Sequence, residues 1–263
     1  SVELQPLMRR FAAWLKSVYG SIKQFLAARG ALPAGGEVLG QGAGGQTQTE
    51  AFREWFDGSR AVDEDGRPVV VYHGSNSDIE VFKTDGRGKT SGTGAFFTDD
   101  RRVANTYPEQ TGGGNVTPVF LSLKNPLVVD ARGANWNDIG EDATVEVDPD
   151  GFSDDLASVM GFNYETDGGA STDDIARYAR DNGYDGAIIK GVRDRGPNST
   201  SRDAYESDIY VAFNPEQIKS AIGNDGTFDA NDPSILSQDP AAQPGTQMAL
   251  NDDIRRVMDR MLA

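Results

Sequence analysis

The chain's one histidine, His73, closes the run Val69-Val70-Val71-Tyr72 and is followed by Gly74 and Ser75. A neutral imidazole can give a hydrogen bond to a sugar hydroxyl while its other nitrogen is held from behind. Glycine lets the backbone approach a planar ring, and its N–H and C=O match the acceptor and donor of a carboxamide. Ser75 adds a hydroxyl. A second stretch, Gly92-Thr93-Gly94-Ala95-Phe96-Phe97-Thr98-Asp99, runs on through Arg101 to Tyr107. A tyrosine at the end of a short helix can lay its ring on a flat heteroaromatic ligand. Phe96 and Phe97 face opposite ways on a strand, so one of them belongs to the core. The third stretch, Asp208-Ile209-Tyr210-Val211-Ala212-Phe213, alternates as a strand does, with Glu206 just upstream. Taken singly, each stretch also fits a plain core; His73 alone reads equally as a satisfied histidine at a strand end.

These residues need a frame. β-Branched and aromatic runs predict strands at Val69–His73, Ala95–Thr98, Val116–Leu123, Leu127–Asp130, Gly186–Ile189 and Ile209–Phe213. Helices are expected at Glu50–Asp57, Arg101–Tyr107, Asp154–Met160 and Thr172–Asn182, the last capped by Thr172 and ended by Gly183. Asp65-Gly66 and Pro68 mark a turn. Strands outnumber long helices and do not alternate with them regularly. An α+β domain with antiparallel sheets follows, rather than a doubly wound fold.

Composition narrows the chemistry. Among 263 residues there is no cysteine and a formal net charge of −16. Disulfides, thiolate catalysis, Cys-zinc sites and multi-histidine metal sites are excluded, and no metal is expected. The acidity disfavours phosphate-backbone partners and fits solubility or a basic protein partner. No apolar run has the length of a membrane span, and no signal peptide is recognisable at Ser1, so the chain reads as a piece of a longer polypeptide.

The ends differ from the middle. Leu4, Leu7, Phe11, Leu15, Val18, Ile22 and Phe25 form a helical apolar stripe over residues 1–29. Residues 30–49 read as a Gly-rich linker, 50–236 as the main domain and 237–248 as a second linker. Leu250, Ile254, Val257, Met258 and Met261 make a second stripe over 249–263. Each terminal helix is too short and one-sided to stand alone, so the two are expected to pair or to dock elsewhere.

The stretch Gly92–Tyr107, with Gly-x-Gly-x-aromatic-Phe-x-Asp running on to a tyrosine, and the His73-Gly74 pair resemble the catalytic domain of ADP-ribosyltransferases. The similarity is to the poly(ADP-ribose) polymerase and diphtheria-toxin branch, with its His-Tyr-Glu signature, in the version found in phage and bacterial polyvalent proteins. Phe213-Asn214-Pro215-Glu216-Gln217-Ile218-Lys219-Ser220 matches an ending found in that version. The resemblance covers roughly residues 50–236. It implies a split β-sheet core and NAD+ as substrate. It gives His73 and Gly74 the ribose and carboxamide, Tyr107 the stacking role and Phe96 the strand aromatic, with Ser75, Gly94, Phe97 and Thr98 lining the same cleft.

The third motif departs from the family. Aligned on the strand, Ile209 stands where the glutamate should bond a ribose hydroxyl and stabilise the oxocarbenium-like transition state. Isoleucine does neither. A one-residue slip or a bulge would instead turn Asp208 inward, and Glu206 is a weaker candidate. The stretch Gly191–Ser207 is expected to be an acceptor-reading loop carrying Arg193, Arg195, Asn198 and Arg202. Arg87 and Lys89 are pyrophosphate candidates.

The resemblance implies a mono-ADP-ribosyltransferase that releases nicotinamide and modifies a macromolecule, protein rather than nucleic acid. It would be a toxin-like effector in the cytoplasm of a bacterial or phage-infected cell, with delivery alongside a virion or mobile element as a variant. NAD glycohydrolase activity, a degenerate NAD- or protein-binding module, a virion or conjugation structural piece and a remote RNA 2′-phosphotransferase are the alternatives.

Overall fold

The computed structural model describes residues 45–84, 93–109, 114–147, 152–199, 204–224, 226 and 229–236. Both expected terminal helices, most of both linkers, Arg87, Lys89, Gly92 and Arg202 lie outside the described residues.

Nine strands join in one mixed sheet: β1 (Val71–Ser75), β2 (Ala95–Thr98), β3 (Asn115–Leu121), β4 (Pro126–Asp130), β5 (Thr144–Glu146), β6 (Ser153–Asp155), β7 (Gly186–Asp194), β8 (Tyr205–Ala212) and β9 (Ile218–Ser220). Their order is β6-β5-β4-β7-β8-β2-β1-β3-β9. Every pairing is antiparallel except β4 with β7. That parallel pair corrects the all-antiparallel expectation. Parallel neighbours need a long crossover, which here carries β5, β6 and three helices, α3 (Leu156–Met160), α4 (Tyr164–Asp167) and α5 (Thr172–Asp181). The α+β class stands.

Strand alternation divides the core. Along β8, Ile209 and Val211 face a cluster with Ile189, Leu127 and the Ile175 and Ala179 face of α5. Tyr210 and Ala212 face the other way, onto Val71, Phe97, Val119 and Ile188. Helix α1 (Glu50–Phe56) closes a third cluster, with Phe52 edge-on to Phe120 at 5.2 Å and Trp55 Nε1 donating to the Glu216 carbonyl at 3.0 Å.

Local signals behave as the physics requires, with shifts. Helix α5 is capped by Ser171 rather than Thr172. The Ser171 hydroxyl accepts from the Asp174 amide at 3.1 Å and the Asp174 carboxylate accepts from the Ser171 amide at 3.0 Å, a reciprocal box that outcompetes a single cap. Gly183 follows that helix with φ 81°. The linker expected to run to Thr49 gives way earlier to packed structure. Gln46 is 1% exposed and donates to the Ala221 carbonyl at 2.7 Å, and Thr49 caps α1. Among the described residues no helix is long and apolar enough to cross a membrane.

Candidate active site

β1 is gripped unequally by its neighbours. It pairs with β3 from Val71↔Val119 through Ser75↔Asn115, but with β2 at one position, Tyr72↔Thr98. Beyond that pair the seam is spanned by a side chain. His73 Nδ1 lies 2.7 Å from the Phe96 carbonyl oxygen. A carbonyl only accepts, so Nδ1 carries the proton. Burial pushes the His73 pKa below its ordinary value, against the smaller pull of the Phe96 hydrogen bond. The ring is therefore neutral at pH 7, with a bare Nε2. This reverses the expected polarity: the held nitrogen donates, and Nε2 is the ring's acceptor. Phe82 meets the ring edge-on at 5.1 Å and Phe97 lies 5.7 Å away.

The next residue serves the opposite face of β1. A Cβ on Gly74 would sit 1.9 Å from the Ala104 carbonyl oxygen and 3.0 Å from the Pro108 ring. Helix α2 (Arg101–Ala104) and the turn after it pack directly on that glycine. The helix ends three residues before Tyr107, which sits in the following turn, 40% exposed, its hydroxyl donating to Asp194 Oδ2 at 2.5 Å. The elements bearing His73 and Tyr107 thus touch at Gly74 and Pro108. By strand alternation, the imidazole belongs to one face of the sheet and Tyr107 to the other, on either side of the loosely paired seam.

The remaining residues expected to line a cleft divide. Phe97 is 2% exposed and is core, whereas Phe96 is half-buried. Gly94, at φ 97°, lies where a Cβ would come 2.8 Å from the Ala212 carbonyl oxygen, which is reason enough for glycine there. Thr98 donates to the Ser207 hydroxyl at 2.9 Å. Ser75 is engaged in a local turn, donating to the Ser77 carbonyl at 2.6 Å.

The third motif follows the bulge alternative, with the bulge carried by the neighbouring strand. Ile209 is 5% exposed and sits in the apolar cluster with Val211 and Ile189; the expectation that it faces an open site gives way to core packing. Asp208 reaches open space without a slip of its own strand. The irregularity is in β7, between Ile189 and Val192, where Gly191 at φ 63° donates its N–H to Asp208 Oδ1 at 2.9 Å. A cavity of about 470 Å³ opens there, lined by Tyr72, Asp99, Asp100, Arg101, Gly191, Glu206, Ser207 and Asp208. The Asp208 amide donates to Asp99 Oδ1 at 2.9 Å. Loss of solvent, with repulsion from Asp208, pushes the Asp99 carboxyl up to about 6. Burial raises Asp208 too, against the pull of the Gly191 amide.

The expected acceptor loop is shorter than Gly191–Ser207, because β7 runs on to Asp194 and β8 starts at Tyr205. Arg193 is a strand residue paired with Glu206. Asn198 does bear on the site, donating to the Tyr107 carbonyl at 2.7 Å. Asp194 lies outside the strand expected at Gly186–Ile189, because Lys190-Gly191 breaks the apolar run. Val192 and Asp194 at alternate positions were the signal available. Among the described residues, no group of three or more His, Asp or Glu side chains is arranged to hold a metal ion.

The model of a protein family described as ADP-ribosyltransferase in polyvalent proteins matches residues 63–228. The chain belongs to that family. The matched span contains every strand from β1 to β9, and with them His73, Gly74, Tyr107, Asp194 and Asp208. No curated protein and no solved structure matches the chain. Membership makes it a transferase domain of the ADP-ribosyltransferase kind, a family that uses NAD+ as substrate.

Proposed function

We propose that this domain transfers a single ADP-ribose from NAD+ to a macromolecular acceptor and releases nicotinamide. The observation that carries the reading is the β1–β2 seam, where a neutral imidazole replaces the ladder; in this reading its Nε2 accepts from a ribose hydroxyl. The Gly74 backbone takes the carboxamide, the Tyr107 ring covers the nicotinamide, and Phe96 contributes the half-buried edge. The bond from ribose C1′ to the nicotinamide nitrogen breaks first. Nicotinamide leaves neutral, the positive charge passes to the ribose, and an acceptor nucleophile bonds to C1′ and gives up its proton. Asp208 is the carboxylate available to steady that charge, in place of the missing glutamate. Asp99, Asp100, Glu206 and Asp208 around the cavity favour a protein acceptor over a phosphate backbone.

The buried Ile209 favours a second reading, an NAD-holding module with little or no turnover. NAD+ labelled on the nicotinamide and, in parallel, on the adenine separates the two. Release by the wild-type chain, reduced about 100-fold or more in His73→Leu, with ADP-ribose recovered on lysate protein, supports the transferase. Release without macromolecular label indicates hydrolysis. Binding without release supports the holding module.

A further inference from the structure

Beyond the bulge in β7, Val192 and Asp194 fall on one face of the strand. Val192 is fully buried and Asp194 is 4% exposed. A carboxylate in that place loses its water and needs hydrogen bonds in return. It has them unevenly. Oδ2 accepts from the Tyr107 hydroxyl, 87 residues away in sequence, at 2.5 Å, and the Arg195 amide also pulls on the carboxylate, while Oδ1 is buried short of a full hydrogen bond. A buried carboxylate serving the fold alone would have both oxygens satisfied, and an apolar side chain of similar size would fill the site without the desolvation penalty. The chain instead holds a strong acceptor against the hydroxyl of one particular tyrosine. Burial and the Asp194 charge raise the Tyr107 pKa, so the phenol stays protonated and remains the donor.

The segment around Tyr107 is stitched down from the same side. The Gly196 amide donates to Thr106 Oγ1 at 2.6 Å, the Asn198 amide to the Thr106 carbonyl at 3.1 Å, and Asn198 Nδ2 to the Tyr107 carbonyl at 2.7 Å. Backbone and hydroxyl of Tyr107 are thereby fixed by residues just after β7 and at its end, while the residue keeps 40% of its surface open.

We propose that Asp194 is a positioning residue which, through the Tyr107 hydroxyl, sets the angle of the ring on which the nicotinamide of NAD+ stacks. This rests on the reading under Proposed function. The test uses the full chain with ¹³C-labelled tyrosine, the Tyr107 signal being assigned by Tyr107→Phe, together with nicotinamide release at varied NAD+. Asp194→Asn keeps an oxygen that accepts from the phenol; Asp194→Leu does not. In Asp194→Leu, the KM for NAD+ rises about tenfold, kcat changes less than about threefold, and the Tyr107 signal moves. Asp194→Asn stays within about threefold of wild type in KM. Tyr107→Phe matches Asp194→Leu, and the double variant is no worse than either alone.

An unmoved Tyr107 signal in Asp194→Leu, or KM effects that multiply in the double variant, overturns the proposal. If Asp194→Leu does not fold, the other two single variants decide. A near-wild-type Asp194→Asn beside an impaired Tyr107→Phe supports positioning, and equal losses overturn it. If the wild-type chain neither binds NAD+ nor releases nicotinamide, yet Asp194→Leu moves the Tyr107 signal and Asp194→Asn does not, the NAD+ reading falls while the positioning of the ring stands.

Discussion

Two seams of the same sheet behave in opposite ways. β7 and β8 pair from Gly186↔Ala212 to Asp194↔Tyr205, interrupted by one bulge. β1 and β2 share the single pair Tyr72↔Thr98, and an imidazole bridges the rest. The first seam is ladder backed by core on both faces, with Ile209 and Val211 on one side and Tyr210 and Ala212 on the other. The second leaves backbone edges of β1 and β2 without strand pairing, which is where a ligand amide can substitute for a strand. The ladder supplies stiffness, the loose seam leaves backbone groups free of strand partners, and the cavity lies at the bulge beside Asp208. The bulge in the stiff seam has a separate effect: it aims Asp208 at the rim and brings Asp194 to Tyr107.

The contrast is broken most severely by placing a charge inside the ladder. Ile209→Glu installs the glutamate that the His-Tyr-Glu resemblance implies but puts it in an apolar cluster. It should destabilise the domain by about 3 kcal/mol or more and leave nicotinamide release no faster than wild type. Urea unfolding alongside the release assay checks both. A faster, well-folded Ile209→Glu would mean that this position opens onto the reacting ribose, and the division between the two seams would be lost.

At the loose seam, Gly74→Ala drives a methyl into the Ala104 carbonyl, where no flexible atom can yield. Helix α2 must shift, at about 2 kcal/mol of stability, and nicotinamide release should fall more steeply than stability does. Equal, small losses in both would show that the helix is free to ride outward, and that the close approach does not hold the seam's geometry.

The smallest effect concerns the rim that both seams share. Asp99 has a folded-state pKa raised to about 6, above its ordinary 3.8. A raised carboxyl favours the protonated form in the fold. Its contribution to stability is full below the ordinary value, declines as pH rises toward about 6, and is flat above that. Asp99→Asn keeps an oxygen for the Asp208 amide and should flatten this segment of the stability-versus-pH curve. Thermal unfolding between pH 4 and 8 checks it (a range about two pH units either side of 6). An unchanged slope would assign the dependence to Asp208, whose pKa shifts in the same direction.

Much of the frame was readable before folding. Ala95–Thr98 was placed to the residue, and α5 to within one, because period-two and period-3.6 patterns report which way side chains of one segment must face. The strands that escaped, β5, β6 and β9, are three residues each, too short for alternation to register. β7 and β8 were read short for another reason. Their outer halves carry Arg193, Asp194, Glu206 and Asp208, polar residues that pair as strands only because each supplies the other's ladder. A parallel β4–β7 pair likewise has no local signature.

From the order of its residues alone, this chain fixed its periodic elements and one site for a neutral ring nitrogen, at its only histidine. It also fixed the absence of any thiol and a glycine after the histidine, where a side chain would be in the way. Folding decided which imidazole nitrogen is free, that Asp208 and not Ile209 meets the open cavity, and that Asp194 holds Tyr107. Those outcomes depend on contacts between residues 23 to 109 positions apart. Periodicity tells a segment which face to bury, whereas the register and the bulge that bring distant segments together are settled only when the whole sheet closes on its core.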